Sequence, residues 1–174
     1  MKKICSLFLA CLFINAAQAQ GNTKTVLFEN GKLSINIPAD QDTMSSANIQ
    51  AKYHRNPDGK TKYFSNSDFT FSIVLNELMP NKVTEAGMMQ HKDDLVQQIQ
   101  SKFELTENDV ITVNGHKLIV VSFTSEVPSG KIFNRRFMAV ADNKLVMVSY
   151  NTTEDDLENR KAQIESSIRS VQVK

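Results

Sequence analysis

Residues able to do chemistry are few in this chain, and their spacing argues against most reactions. The three histidines, His54, His91 and His116, are spread over segments that read as loop, helix and turn. None has a partner at metal-ligand spacing, and no His-Glu-x-x-His occurs, so they read as surface imidazoles. A serine hydrolase of the nucleophile-elbow type needs Gly-x-Ser-x-Gly, which is absent. Pro128-Ser129-Gly130-Lys131 contains the Gly-Lys of a phosphate loop but lacks the upstream glycine. It also runs into Ile132 and Phe133 rather than into a helix start, so a hairpin turn is expected. Asp93-Asp94 and Asp155-Asp156 are tempting carboxylate pairs. Adjacent residues on a helix point ~100° apart, so neither pair makes a dyad by itself. Helix-dipole and solvation roles account for both.

Three further groups hold interest without defining a reaction. Arg135-Arg136 falls in an expected strand, where alternation sends one side chain to each face. An arginine at the sheet rim would bind an acid or an anion; a solvated strand face is the ordinary reading. Met79, Met88 and Met89 cluster around a helix entry, as core filler or as an adaptable surface for an apolar partner. Asn151-Thr152-Thr153 is a glycosylation sequon and reads here as a strand end and helix cap. No catalytic residue, metal ligand or cofactor-binding residue is assigned, and the chain is expected not to be an enzyme.

Composition narrows the classes further. The 174 residues are 41% apolar, enough for one domain with a real core and too apolar for a disordered chain. Lys and Arg number 20 against 19 Asp and Glu, a formal charge of +1, which argues against a nucleic-acid partner. The 2 cysteines cannot build a disulfide scaffold.

The N-terminus reads as an export signal. Lys2 and Lys3 form a positive start, Ile4 to Ile14 is an apolar run interrupted by Ser6, and Ala17-Gln18-Ala19 fits the small-x-small rule. Cleavage before Gln20 is expected, leaving one domain over residues 20–174 and removing both cysteines, Cys5 and Cys11. The run is too short to span a bilayer, which needs ~20 residues. A rival processing site ends at Leu9-Ala10-Cys11, where Cys11 would become the acylated first residue, though Phe8 stands where Leu is preferred.

The remaining chain alternates strands and helices. Strands are expected at Val26–Glu29 and Leu33–Ile37, with Asn30-Gly31 as the hairpin dipeptide between them. Short strands at Ile49–Tyr53 and Lys62–Phe64 would flank the turn Asn56-Pro57-Asp58-Gly59. Phe69, Phe71, Ile73 and Leu75 should share one face of a strand. From Val83 to Phe103 the period becomes helical, with Leu95, Val96, Ile99 and Phe103 as the apolar stripe. Strands follow at Val110–Val113, Leu118–Phe123, Ile132–Ala141 and Leu145–Tyr150, and their short connections imply antiparallel neighbours. A last helix spans about Glu154 to Ser170, capped by Thr153, with Leu157, Ile164 and Ile168 as its buried stripe. Val171 and Val173 would end the chain as an edge strand. The layout is α+β, an antiparallel sheet with helices packed on it.

Three segments carry a resemblance. Asn30-Gly31-Lys32-Leu33-Ser34-Ile35-Asn36-Ile37-Pro38-Ala39-Asp40 resembles the opening strand of the DcrB family. Asn114-Gly115-His116-Lys117 is similar to that family's turn into a central strand. Ile164-Glu165-Ser166-Ser167-Ile168-Arg169-Ser170-Val171 resembles its closing helix and tail. The resemblance implies a Mog1/PsbP-like α/β/α sandwich, with helices on both sides of the antiparallel sheet. It also implies a bacterial envelope protein, periplasmic or lipid-anchored, with no established enzyme activity and no catalytic motif to carry over. The expected role is a binding or accessory module for envelope integrity, with envelope proteins as partners and peripheral membrane association left open. The alternative is a chaperone-like groove holding an apolar segment of a secreted or membrane client.

Overall fold

The computed structural model describes residues 22–79 and 82–174. The export signal, with Ala17, Ala19 and Gln20, and the rival acylation site at Cys11 lie outside the described residues.

Two antiparallel sheets form the body. The smaller joins β1 (Thr23–Phe28), β2 (Leu33–Pro38) and β10 (Gln172–Val173), with β2 central. The larger has 7 strands. They are β3 (Asp42–Thr43), β4 (Lys62–Ser65), β5 (Phe71–Met79), β6 (Leu105–Val113), β7 (His116–Val127), β8 (Gly130–Ala141) and β9 (Lys144–Thr153). They run in the order β3-β4-β5-β9-β8-β7-β6. Helices α1 (Ser46–Tyr53), α2 (Glu85–Gln90), α3 (Lys92–Gln100) and α4 (Leu157–Arg169) complete the chain.

Strand alternation sorts the core into layers. Phe71, Ile73 and Leu75 of β5, Val146, Val148 and Tyr150 of β9, and Phe137 and Ala139 of β8 face one side. There they meet Val26, Phe28, Leu33, Ile35 and Ile37 of the small sheet and Ile164 and Ile168 of α4. On the opposite side Ile119, Val121, Met138 and Leu145 pack against Met88, Leu95 and Val96 of α2 and α3. At the far edge of that side, Ile49 of α1 packs with Met44 and Tyr63. Helices therefore flank the large sheet on both faces, as expected. The polar span Asn36–Ser170 is tied across these layers. The Tyr150 hydroxyl donates to Ser167 Oγ at 2.9 Å, Ser167 Oγ donates to the Asn36 carbonyl at 2.6 Å, and the Asn36 amide donates to Ser170 Oγ at 2.8 Å. Burial pushes the Tyr150 phenol well above its usual pKa, and the bond to Ser167 offsets only part of that rise.

Several expectations are corrected. Ile49–Tyr53 is helical: Ser45 caps α1 by accepting the Asn48 amide at 3.2 Å, and only Ile49 of its residues is buried. A local cap thus outweighs an apparent β pattern. Phe69 does not join the face of Phe71. Asn66 accepts the Phe71 amide at 3.0 Å and its carbonyl accepts the Phe69 amide at 3.2 Å. That turn throws Phe69 outward at φ 58° and 41% exposed. The helix expected over 83–103 is broken at His91 into α2 and α3, which places Asp93 and Asp94 in the first turn of α3, where the dipole favours them. Asn30-Gly31 sits in a four-residue loop, since Phe28 pairs with Leu33. Asn114-Gly115, by contrast, closes a two-residue hairpin between Val113 and His116, with φ 48° and 85°, the left-handed pair that glycine eases. Thr153 makes no side-chain cap; a 3-10 turn over Glu154–Asp156 precedes α4, and Leu157 is only half-buried.

Candidate functional site

The two adjacent arginines lie on opposite faces of β8, as alternation requires, and their surroundings are unlike. Arg135 is on the α4 side. Its Nη1 lies 2.7 Å from Glu107 Oε2 and its Nη2 lies 3.0 Å from Glu165 Oε1. Glu107 is further held by the Ser122 hydroxyl at 2.7 Å. Arg135 is thus a structural clamp joining β6, β8 and α4, and not a solvated side chain.

Arg136 faces the other way and has no such compensation. Among the described residues no carboxylate lies within salt-bridge distance of it. Its Nε is buried without an acceptor, as is the Nε of Arg135. Its guanidinium carbon lies 4.8 Å from the centre of the Phe123 ring, which is itself stacked on Phe103 at 4.5 Å. Burial lowers its pKa, yet a guanidinium stays charged at any physiological pH. A half-buried permanent cation that no anion offsets is costly.

Register places its neighbours. Val74, Ser149, Arg136 and Val121 form one row across β5, β9, β8 and β7. Ser72, Asn151, Asn134 and Phe123 form the next row, and Asn76, Met147, Met138 and Ile119 the third. Ser72, Ser149 and Asn134 are buried, and Asn76 Oδ1 is buried without a partner. Val74, Met147, Asn151 and Arg136 are only half-buried, although β5, β9 and β8 are interior strands. An antiparallel sheet can leave part of one face to solvent. Val74 packs on the α1 cluster and Met147 on the α2–α3 cluster, so the strip of sheet between them is incompletely covered. Tyr53, the last residue of α1, donates to Ser72 Oγ at 3.0 Å at its edge. This strip carries the hydroxyls of Ser72 and Ser149, several amides, one cation without a carboxylate partner, and apolar side chains at its borders; no carboxylate and no imidazole lies in its three rows.

The other residues singled out by sequence are dispersed. His54 caps the end of α1 at φ 52°. His91 joins α2 to α3 with Nδ1 3.5 Å from Asp94, and His116 opens β7 with Nδ1 3.5 Å from Glu85. Among the described residues no group of three His, Cys, Asp or Glu side chains could hold a metal ion. Met88 is buried in the core, Met89 is packed against it, and the Met79 side chain lies outside the described residues. Asp156 pairs with Arg160 at 2.9 Å and accepts the Thr70 hydroxyl at 3.0 Å. Lys131, beyond the Val127–Gly130 hairpin, continues β8. Sequence reasoning missed the Lys144 triad altogether. Its Nζ lies 2.9 Å from Glu29 and 3.0 Å from Glu77, which raise its pKa and tie the β1–β2 loop to the large sheet. No spacing rule joins positions so far apart in the chain.

No protein-family model matches the chain, and no curated protein matches it in sequence. Solved structures do match its fold. The cyanobacterial PsbP protein of Synechocystis sp. PCC 6803 superposes with a TM-score of 0.58 at 12% identity, over 88% of this chain and 94% of that one. A Pseudomonas aeruginosa protein of unknown function gives a TM-score of 0.54 at 12% identity, over 88% and 99%. A Bacteroides thetaiotaomicron protein gives 0.54 at 11% identity, over 89% of this chain and 49% of that one. The fold is therefore PsbP-like, and identities this low speak for the fold alone.

Proposed function

We propose that this chain is an exported, non-enzymatic binding module of the bacterial envelope, related to the DcrB family, acting in the periplasm as an accessory to envelope proteins. The observation that carries the reading is Arg136, a half-buried cation stacked on Phe123 that has no carboxylate within salt-bridge distance among the described residues, as a surface that meets a partner would offer. The leader ending at Ala17-Gln18-Ala19 supports export, with Gln20 as the first residue of the mature chain. Among the described residues no helix is long and apolar enough to cross a membrane. A client-holding role would draw on Met88, which is buried in the core.

The test joins location to consequence. Mass spectrometry of the protein from a fractionated Gram-negative host should find a chain starting at Gln20 in the periplasmic fraction. A deletion strain should show altered envelope stress or detergent sensitivity, restored by the wild-type gene. A cytosolic chain with the leader intact, or a deletion with no envelope phenotype, would count against the reading; an acylated start at Cys11 would move the protein to the membrane surface.

A further inference from the structure

We propose that the outer edge of β1 takes up an extended peptide segment of an envelope protein as an added strand, a segment apolar at alternate positions and carrying a carboxylate. The inference rests on the reading of this chain as a binding module and names the chemistry of its partner at a place other than Arg136. Strand β1 is the edge of the small sheet, paired with β2 on one side and, among the described residues, with nothing on the other. Register tells which of its backbone groups are left over. The Asn22 carbonyl accepts the Ala39 amide at 2.8 Å, and antiparallel pairing alternates, so Lys24, Val26 and Phe28 turn their backbone groups to β2. Thr23, Thr25 and Leu27 turn theirs outward, and all three residues are exposed. The Leu27 carbonyl bears this out: the Lys62 ammonium donates to it at 2.7 Å. A flexible side chain stands there in place of a strand's N–H, a common guard on a free edge.

The edge opens onto a cavity of about 640 Å³, lined from β1 and from the β3–α1–β4 region. Val26, Met44, Ile49, Tyr63 and Phe64 line it, so an added strand sets every second side chain against an apolar wall. The charged residues of the lining are Lys24 and Lys62, with no carboxylate among them. Asp42 meets Lys24 at 3.3 Å, whereas Lys62 has no carboxylate partner among the described residues. In the adjoining cavity, which shares Leu27 and Lys62, Glu29 and Glu77 match Lys144 and leave Lys60 and Lys62 unmatched. Charge complementarity therefore selects an acidic partner. A second copy of β1 fails this test, since it brings another Lys24 and no acid. An acyl-chain acid would suit the wall and the lysines but leave the outward groups of Thr23 and Thr25 to water. A partner segment of about five residues reaches from Thr23 to Leu27, at ~3.3 Å per residue. Its amide takes the Leu27 carbonyl, and the released Lys62 meets its carboxylate.

The test is a titration of the purified full chain, isotope-labelled and followed by NMR, with the peptide acetyl-Thr-Val-Thr-Val-Thr-Val-Glu-amide. The controls are the same peptide N-methylated at every backbone nitrogen, the same peptide ending in Lys, and decanoate. The expected result is saturable shifts of the Thr23, Thr25 and Leu27 amides, with slowed hydrogen exchange at Thr25 and Leu27, which apolar contact alone does not give. The N-methylated peptide should give neither. Thr25→Pro removes one outward N–H without touching a backbone bond to β2, and should weaken binding at least about tenfold. Lys62→Glu, at an exposed position, should weaken it about threefold and make the Lys-ended peptide the tighter of the two; it covers the case in which Thr25→Pro does not fold. Equal response to the N-methylated peptide, or unchanged affinity in both variants, overturns the inference. A response to decanoate with none to the peptide overturns it in favour of an acyl-chain acid. Shifts at β1 that grow with protein concentration alone, with none from the peptide, overturn it in favour of a second copy. No response at β1 to any probe also overturns it, while the binding-module reading is judged separately, by the start of the mature chain and by the deletion strain.

Discussion

Replacing Arg136 by methionine should stabilise the free protein, because the side chain is a half-buried cation with no anion beside it. The guanidinium is half-buried, with Nε cut off from any acceptor and no anion beside it. Full burial of an ion costs several kcal/mol, so half-burial costs roughly 1–3 kcal/mol. Stacking on Phe123 at 4.8 Å returns about 0.5–2 kcal/mol. Methionine keeps most of the apolar stem and introduces no charge, so Arg136→Met should gain about 1 kcal/mol. For a domain of this size that raises the melting temperature by about 2–4 °C. Arg135→Met should do the reverse. It strands Glu107, whose side chain is 30% exposed, and Glu165, and should cost about 1–3 kcal/mol. Urea and thermal unfolding of the two variants, side by side with wild type, provide the assay. An Arg136→Met protein that loses more than about 1 kcal/mol would refute the reasoning, since Arg136 would then be a structural residue like its neighbour.

Ser167→Ala should cost about 2 kcal/mol by orphaning both the Tyr150 hydroxyl and the Asn36 carbonyl, whereas Tyr150→Phe should cost about 1 kcal/mol; the double-mutant cycle should show coupling between them. Because the Tyr150 pKa is raised in the fold, its stabilising effect is complete below the unfolded tyrosine value of about 10 and is lost as pH rises beyond it, so Tyr150→Phe should flatten the alkaline fall in stability. Asp156 feels burial pushing its pKa up, but bonds from Arg160, Thr70 and Asn159 together hold it below the usual value. Its contribution is therefore complete above the unfolded value of about 3.9 and is lost as pH falls below it; acid titration of Asp156→Asn should show a shallower decline. Gly115→Val should destabilise the protein by about 1 kcal/mol or more, measured by urea unfolding, because its φ of 85° is strained for a β-branched residue, although the space around it is open.

The parts of this fold legible from sequence are those where one local rule acts alone. Alternation at Leu33–Ile37 and Phe71–Leu75 and the two-residue turn at Asn114-Gly115 needed no tertiary help. The misread segments are those where side chains compete for backbone. Ser45 capped a helix out of Ile49–Tyr53, and Asn66 bent Phe69 away from its strand. Of the site, alternation foretold that Arg135 and Arg136 would part to opposite faces. It was blind to which would be paired, because Glu107 and Glu165 come from β6 and α4, far along the chain. How much of this sheet face stays uncovered depends on where α1 stops and α2 begins, and no periodicity in β5, β8 or β9 records that spacing. The Lys144 triad was invisible for the same reason.

The most direct measurement is mass spectrometry of the intact protein recovered from each fraction of a Gram-negative host. The account predicts a chain starting at Gln20 in the periplasmic fraction. A cytosolic chain with the leader intact would contradict the claim that this is an exported envelope protein.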